Sequence, residues 1–445
     1  MPGANAPDAA VTAPWPKAPV AWGTVIALLV AYILSFADRQ IMSLMVGPVK
    51  ADLGLSDTEF SLLSGLAFAL FFTVMGLPLG RLADRSTRRV IVAGGTLAGG
   101  IAGILAAASG SFAQLFGARA FAGTADAALS PSAFSIIADL FPPEKRGRAF
   151  SVYSLGIYLG IGVAFGVGGA LVGAFAGQPT VTVPVLGEIR SWQAVFLVIA
   201  IPSLILSPFF LLLPEPARRG VPSKDQQLNI AETSHYVWQR RGLFLPYFVG
   251  FGIIVLANFA TLAWTPEYFI RTFGTSPADI GAAMGMMMAL GGALGVLAGG
   301  WFNDWLQARG RKDAVLITGV VTCIGFMTFS ILFPLMPTPE LAKLMLWPVF
   351  FFGAFASGAA PSAIGAVTPN EMRGQVSALY LLVINFLGIG LGPTVPALFT
   401  DFLFQDEAKL GSSLVLTAAI TGVPAAWLLW KARPRYLAEA KAFSE

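Results

Sequence analysis

Apolar runs of about 20 residues or more follow one another along this chain, parted by short polar turns, and each is long enough as a helix to cross roughly 30 Å of hydrocarbon. Twelve can be laid out, at about 20–47, 56–85, 90–109, 112–141, 149–177, 192–213, 243–269, 280–302, 314–336, 341–367, 375–404 and 412–430. The pattern predicts an all-α membrane protein with twelve transmembrane helices. The first run is too long for a signal-peptide core and lacks a cleavage pattern, so it is read as a retained helix. Ser56-Asp57-Thr58-Glu59 has the spacing of a capping box that opens the second helix.

The pattern breaks once. Residues 214–241 hold Pro214, Pro216, Pro222 and a dense set of charges, which predicts a linker in which 231–239 forms a short helix on the membrane surface. The division is then a tail at 1–19, a bundle at 20–213, the linker, a second bundle at 242–430 and a tail at 431–445.

The second half repeats the first. Gly80-x-x-x-Asp84 returns as Gly300-x-x-x-Asp304, Glu144-x-Arg146-Gly147 as Glu371-x-Arg373-Gly374, Pro131-Ser132-Ala133 as Pro361-Ser362-Ala363, and Leu159-Gly160-Ile161-Gly162 as Leu387-Gly388-Ile389-Gly390. One such match is chance; four in the same order at nearly one shift are a duplication.

Composition agrees: 56% of positions are hydrophobic and 12% charged, the latter about half the share of soluble domains. The net charge of +4 does not call for nucleic acid, because its placement explains it. With both termini in the cytoplasm, Lys50, Arg190, Arg271, Lys343 and Lys409 lie outside, Arg39 and Arg119 lie within spans, and the rest of the 28 Lys and Arg lie inside, as the positive-inside rule requires. Short loops, no Asn-x-Ser/Thr sequon and an Ala/Gly-rich composition point to a bacterial inner membrane. Cys323 alone excludes an internal disulfide, and with only His235 beside it there is no soft ligand set for a metal. No Gly-rich nucleotide loop occurs, so ATP is not the engine. The expectation is a monomeric secondary transporter, not an enzyme, with no cofactor and a proton gradient as energy source.

The candidate chemistry lies in ionisable residues inside spans, each costing about 2.5 to 3.5 kcal/mol at the bilayer centre. Arg119 and Asp126 are two helical turns apart and share a face, within a drift of about 20°. Asp38 and Arg39 lie at similar depth in the first span. Together they can form a neutral cluster, read either as a permanent lock or, preferred, as a proton and substrate site. Burial raises a carboxylate's proton affinity and a neighbouring Arg lowers it, so a change of Asp–Arg distance is a switch. Asp38 and Asp126 are the proton-coupling candidates; Arg39 and Arg119 are the substrate candidates, facing Asn258, Trp264 and Asn385 of the second half. The second half is otherwise rich in Met and Phe, including Met284, Met286, Met287, Met288 and Phe350 to Phe352, either bulk facing lipid or an apolar wall for a greasy substrate. Glycine runs at Gly169, Gly173 and Gly177 and at Gly291, Gly295 and Gly299 permit close helix packing.

Gly80 to Arg89 resembles the helix 2–3 signature of the major facilitator superfamily, G-x-x-x-D-R/K-x-G-R-R/K, with Thr87 in place of the second glycine. The resemblance implies two pseudo-symmetric six-helix bundles rocking about a central cavity walled by helices 1 and 4. It also implies a cytoplasmic gate, with Asp84 against the start of helix 11 and Asp304 against the start of helix 5, in which Gly80, Arg85, Arg88, Arg146, Gly300 and Arg373 take part. A narrower likeness is to the Spinster branch, carried by Phe36-Ala37-Asp38-Arg39, Leu55-Ser56-Asp57, Ala128 to Pro131, Ala138 to Phe141 and Trp264 to Gly274. It implies a lysophospholipid or sphingoid-phosphate-like substrate, with small organic anions or drugs as the alternative and a non-transporting sensor as a third.

Overall fold

The computed structural model describes residues 14–175, 177–183, 187–219, 230–369 and 371–442. Eleven of its helices are long and apolar enough to cross a membrane. They are α1 (Ala18–Leu44), α2 (57–85), α3 (Arg88–Ala107), α5 (Pro143–Ala174), α6 (Ser191–Phe210), α7 (Arg241–Phe273), α8 (Pro277–Ala308), α9 (Ala314–Leu335), α10 (Pro339–Ala366), α11 (Arg373–Phe404) and α12 (Glu407–Ala442). The expected twelfth, α4, is present in two pieces, Phe112–Ala127 and Leu129–Leu140, each too short to span alone. Pro131 explains the break: it has no N–H for the carbonyl of Ala127, and the turn before it tightens so that Ala128 N–H bonds Ala125.

The fold departs from an all-helical chain at one place among the described residues. The loop between α5 and α6 carries an antiparallel hairpin, β1 (Thr180–Val183) and β2 (Gly187–Arg190), with Thr180 opposite Arg190 and Val183 opposite Gly187. The β-branched Thr-Val-Thr-Val stretch suits an extended ladder. The described ends of the chain and of the linker share one face, with Arg219 bonded to the Pro14 carbonyl and Arg240 to Glu439; it is called here the terminal face, and the hairpin marks the opposite one.

Small residues set the packing. A Cβ on Gly299 of α8 would sit 1.7 Å from the carbonyl oxygen of Phe355, and one on Gly295 would sit 2.1 Å from that of Phe351, so this run seats α8 on α10 inside the second bundle. The other run works between bundles: Gly169 and Gly173 of α5 face Pro277, Ala278 and Gly281 of α8. By the same pseudo-symmetry Gly65 of α2 lies against the carbonyls of Ile389 and Gly390 in α11. π-helical turns occur at these seams, at Leu62–Leu66 in α2, Met287–Gly292 in α8 and Phe386–Leu391 in α11.

The linker is pinned at both ends; its residues 220–229 and tail residues 1–13 lie outside the described residues. Its helix, Ile230–Gln239, forms as expected but docks on protein rather than resting only on the membrane surface: Tyr236 is buried and donates to the Val367 carbonyl at 3.0 Å.

Candidate functional site

Residues 81 and 87 places apart bring α1 and α4 together as two crossed ion pairs. Arg119 Nη1 donates to Asp38 Oδ2 at 2.9 Å, and Arg39 Nη2 donates to Asp126 Oδ2 at 3.2 Å. Ser35, one turn before Asp38 and Arg39, donates to the same Asp126 oxygen at 2.6 Å. The two guanidinium groups are almost wholly buried, at 5% and 1% side-chain exposure for Arg39 and Arg119, whereas Asp38 and Asp126 retain 20% and 14%. Phe36, Phe68 and Phe72 surround the Arg39 guanidinium, their ring centres 4.6, 4.2 and 5.3 Å away, and supply cation–π attraction where water is excluded.

The aspartates border a narrow cleft of about 20 Å³ walled by α1, α3, α4 and α6, enough for about one water molecule. The cluster therefore faces the inside of the first bundle. Three of its nitrogens, Arg39 Nε and Arg119 Nε and Nη2, are buried with no acceptor among the described residues. Each such donor costs about 1 to 3 kcal/mol.

The expected contacts on the other wall differ from expectation. Trp264 is 1% exposed, its indole N–H spent on the Pro393 carbonyl at 2.7 Å and its ring near Phe60, so it is a packing residue in this conformation rather than a substrate contact. Asn258 is partly buried and donates to the Gly353 carbonyl at 2.9 Å; Asn385 is partly exposed where α11 enters its π turn. Met284, Met287, Met288 and Phe350 lie in the packed core and Met286 faces outward, so most of the apolar patch is not a cavity wall.

The bundles are joined at the hairpin face by residues whose pairing no sequence signature announces. Arg271 of α7 clamps both oxygens of the fully buried Asp57 of α2, at 2.8 Å each, and also holds Glu267 at 2.8 Å. Lys50 bonds Asp57 and reaches Glu407 of α12 at 2.8 Å, and Thr58 N–H donates to Asp401 of α11 at 2.7 Å. Each residue alone reads as an ordinary helix-end charge, and only the fold pairs positions 214 apart.

At the terminal face no hydrogen bond or ion pair joins the two bundles among the described residues. Arg146 and Arg373 each donate to the carbonyl five residues earlier, Phe141 at 2.9 Å and Thr368 at 3.2 Å, a repeat-related pair of local contacts. Arg85 and Asp304 are exposed, Gly80 lies near Pro131, Gly300 faces open space, and the Asp84 side chain lies outside what is described. Arg88 requires correction: it is buried within the first bundle, bonded to Asp139 of α4, to Glu215 at 2.7 Å and to the Pro216 carbonyl at 2.7 Å, so it clamps the linker instead of meeting the other bundle. Among the described residues, the ion pairs between the bundles are thus confined to the hairpin face.

The model of the family described as Major Facilitator Superfamily matches residues 28–393. The chain belongs to the Major Facilitator Superfamily. It is a membrane-embedded transporter and not an enzyme. Among curated relatives, an MFS-type efflux pump of Mycolicibacterium smegmatis is 27% identical over 418 residues, covering 94% of this chain and 93% of the relative. A probable galactarate/D-glucarate transporter of Bacillus subtilis is 25% identical over 441 residues, covering 92% and 91%. Among solved structures, a bacterial homolog of the human lysosomal transporter Spinster, in an inward-facing and unoccupied conformation, superposes with a TM-score of 0.77 at 22% identity over 96% of this chain and 98% of that one, which establishes a shared fold.

Proposed function

We propose that this superfamily member is a proton-coupled secondary transporter that carries an organic anion by alternating access. The observation that supports it is the pair of crossed Asp–Arg contacts with three buried guanidinium nitrogens left without acceptors. A carboxylate or phosphate satisfies them. An anion that displaces Asp126 from Arg39 removes the cation that stabilises its charge and so favours its protonation, coupling anion and proton in the same direction; competition between them gives exchange instead. The one-water cleft beside Asp38 and Asp126 suits proton entry. Arg39 and Arg119 take a substrate only after their pairs part.

The first substrate class is an amphiphile with an anionic head, such as a lysophospholipid or sphingoid phosphate. Its support is the collar of Phe36, Phe68 and Phe72 around Arg39, which sets apolar surface beside the cation. Small organic anions are the second reading, favoured by the packing of the Met and Phe patch into the core and by the sugar-acid relative. The protein acts as a monomer in a bacterial inner membrane with the terminal face cytoplasmic, and the conformation described is inward-open. In the alternate state Asp84 meets the start of α11 and Asp304 the start of α5, gaining about 0.3 to 1 kcal/mol each from the helix dipole. The test is purified protein in liposomes under an imposed pH gradient, offered a lysophospholipid or galactarate. Gradient-driven movement of the lysophospholipid supports the first class, and movement of galactarate alone the second. Flux of both that ignores the gradient refutes proton coupling.

A further inference from the structure

The terminal face of the second bundle holds a cleft of about 830 Å³ between the end of α8, the start of α9, the α10–α11 turn and the last turns of α12. It lies in the other bundle from the crossed pairs, and the transport reading touches it only at Arg373, where α11 begins. Arg311, Lys312 and Arg373 are on its lining, and no Asp or Glu is among its described lining residues. Asp313 beside it is occupied by Arg311 at 3.1 Å and Arg433 at 2.7 Å. The cleft is therefore cationic.

Two of its polar side chains point to a guest. Asn303 is 6% exposed and Thr368 0%, yet Asn303 Oδ1 and Thr368 Oγ1 have no hydrogen-bond partner among the described residues. A buried polar atom without a partner is costly, and natural proteins keep few of them. The hydroxyl of Thr368 can donate to an anion, whereas the amide oxygen of Asn303 only accepts and needs a donor from the guest. A bare anion satisfies the first and not the second.

We propose that this cleft binds a phosphate ester bearing a hydroxyl or ammonium group next to its charge, with the phosphate held by Arg311, Lys312, Arg373 and Thr368 and the neighbouring donor held by Asn303. A glycerophospholipid headgroup and a soluble glycerophosphate share this chemistry. The volume admits either.

The test follows thermal unfolding of the full-length protein, in detergent with glycerol 3-phosphate or inorganic phosphate, and in phosphatidylcholine nanodiscs with or without phosphatidylglycerol. A ligand that binds the folded form raises the midpoint saturably. The expected result is a rise with glycerol 3-phosphate, with phosphatidylglycerol, or with both, and a clearly smaller one with inorganic phosphate. A rise in the nanodiscs alone assigns the site to lipid, and a rise with the solute alone assigns it to a soluble ester. Thr368→Val removes an unpartnered hydroxyl, so its midpoint without ligand is unchanged or higher, which separates lost binding from lost folding. It abolishes most of the rise, and Arg373→Gln weakens the apparent affinity about tenfold, as expected for a hydrogen bond to a charged group. No rise, a rise as large with inorganic phosphate, or a rise that survives in Thr368→Val overturns the proposal.

Discussion

Asp57→Asn isolates the latch at the hairpin face. The carboxylate is fully buried, receives two bonds of 2.8 Å from Arg271 across the bundle interface, and is bonded by Lys50 from its own bundle. Removing one partner of a buried pair costs about 3 to 5 kcal/mol, most of it for the charge left behind. Here Arg271 keeps Glu267 at 2.8 Å and Lys50 keeps Glu407 at 2.8 Å, which argues for the lower end, about 3 kcal/mol. The cost falls on the closed hairpin face alone, because opening lets water solvate the freed cations. A difference of that size moves a two-state equilibrium about 150-fold toward opening. Pulsed EPR distances between spin labels at Ala51 and Ala408, exposed on the two bundles at this face, read the change once the buried Cys323 is replaced by Ser. The variant is expected to gain a dominant longer distance, and Arg271→Gln to match it. A distance distribution unchanged from the parent, in protein that remains folded, refutes the argument.

The glycine runs separate stability from conformation. Gly299→Ala places a methyl against the Phe355 carbonyl and is expected to lower the unfolding midpoint, whereas Gly169→Ala, at the α5–α8 seam, is expected to shift the EPR distances; the opposite assignment would contradict the packing described. Asp84→Asn is expected to increase cysteine accessibility from the terminal face, and equal labelling counts against a gate there. Asp313, outside the spans, is desolvated by burial, yet hydrogen bonds from Arg311 and Arg433 outweigh this and hold its carboxyl below the usual carboxylate range. A lowered folded-state value gives stability that is complete above about pH 4, the unfolded value, and lost as pH falls through the folded one. The midpoint difference between parent and Asp313→Asn is therefore expected to shrink on acidification below about pH 4; a difference that grows instead would reverse the sign.

What the chain discloses follows the range of the forces involved. Membrane crossing is a local requirement on about 20 consecutive residues, so the spans, the linker and the duplicated halves are legible position by position. The crossed pairs were legible for a related reason: a charge in a span needs a partner, and Asp38, Arg39, Arg119 and Asp126 were the charges deep in the first half. Asp57 and Arg271 fall within the capping box and the stretches of the Spinster likeness, but their pairing escaped notice because charges at helix ends need no partner, so nothing in the sequence demands that they meet. Trp264 shows the converse, since an aromatic with a polar handle reads equally as cavity wall or as core until its N–H finds a carbonyl. The fate of Arg88 was hidden by the linker, whose Glu215 and Pro216 carbonyl fold back onto it.

Counterflow and gradient-driven accumulation, measured side by side in liposomes for an Asp38→Asn, Asp126→Asn double variant, test the central claim most directly. Counterflow needs only alternating access, whereas accumulation needs a proton to be bound and released at the crossed pairs. The predicted result is counterflow retained and accumulation under a pH gradient abolished. Full accumulation by the double variant would contradict the account.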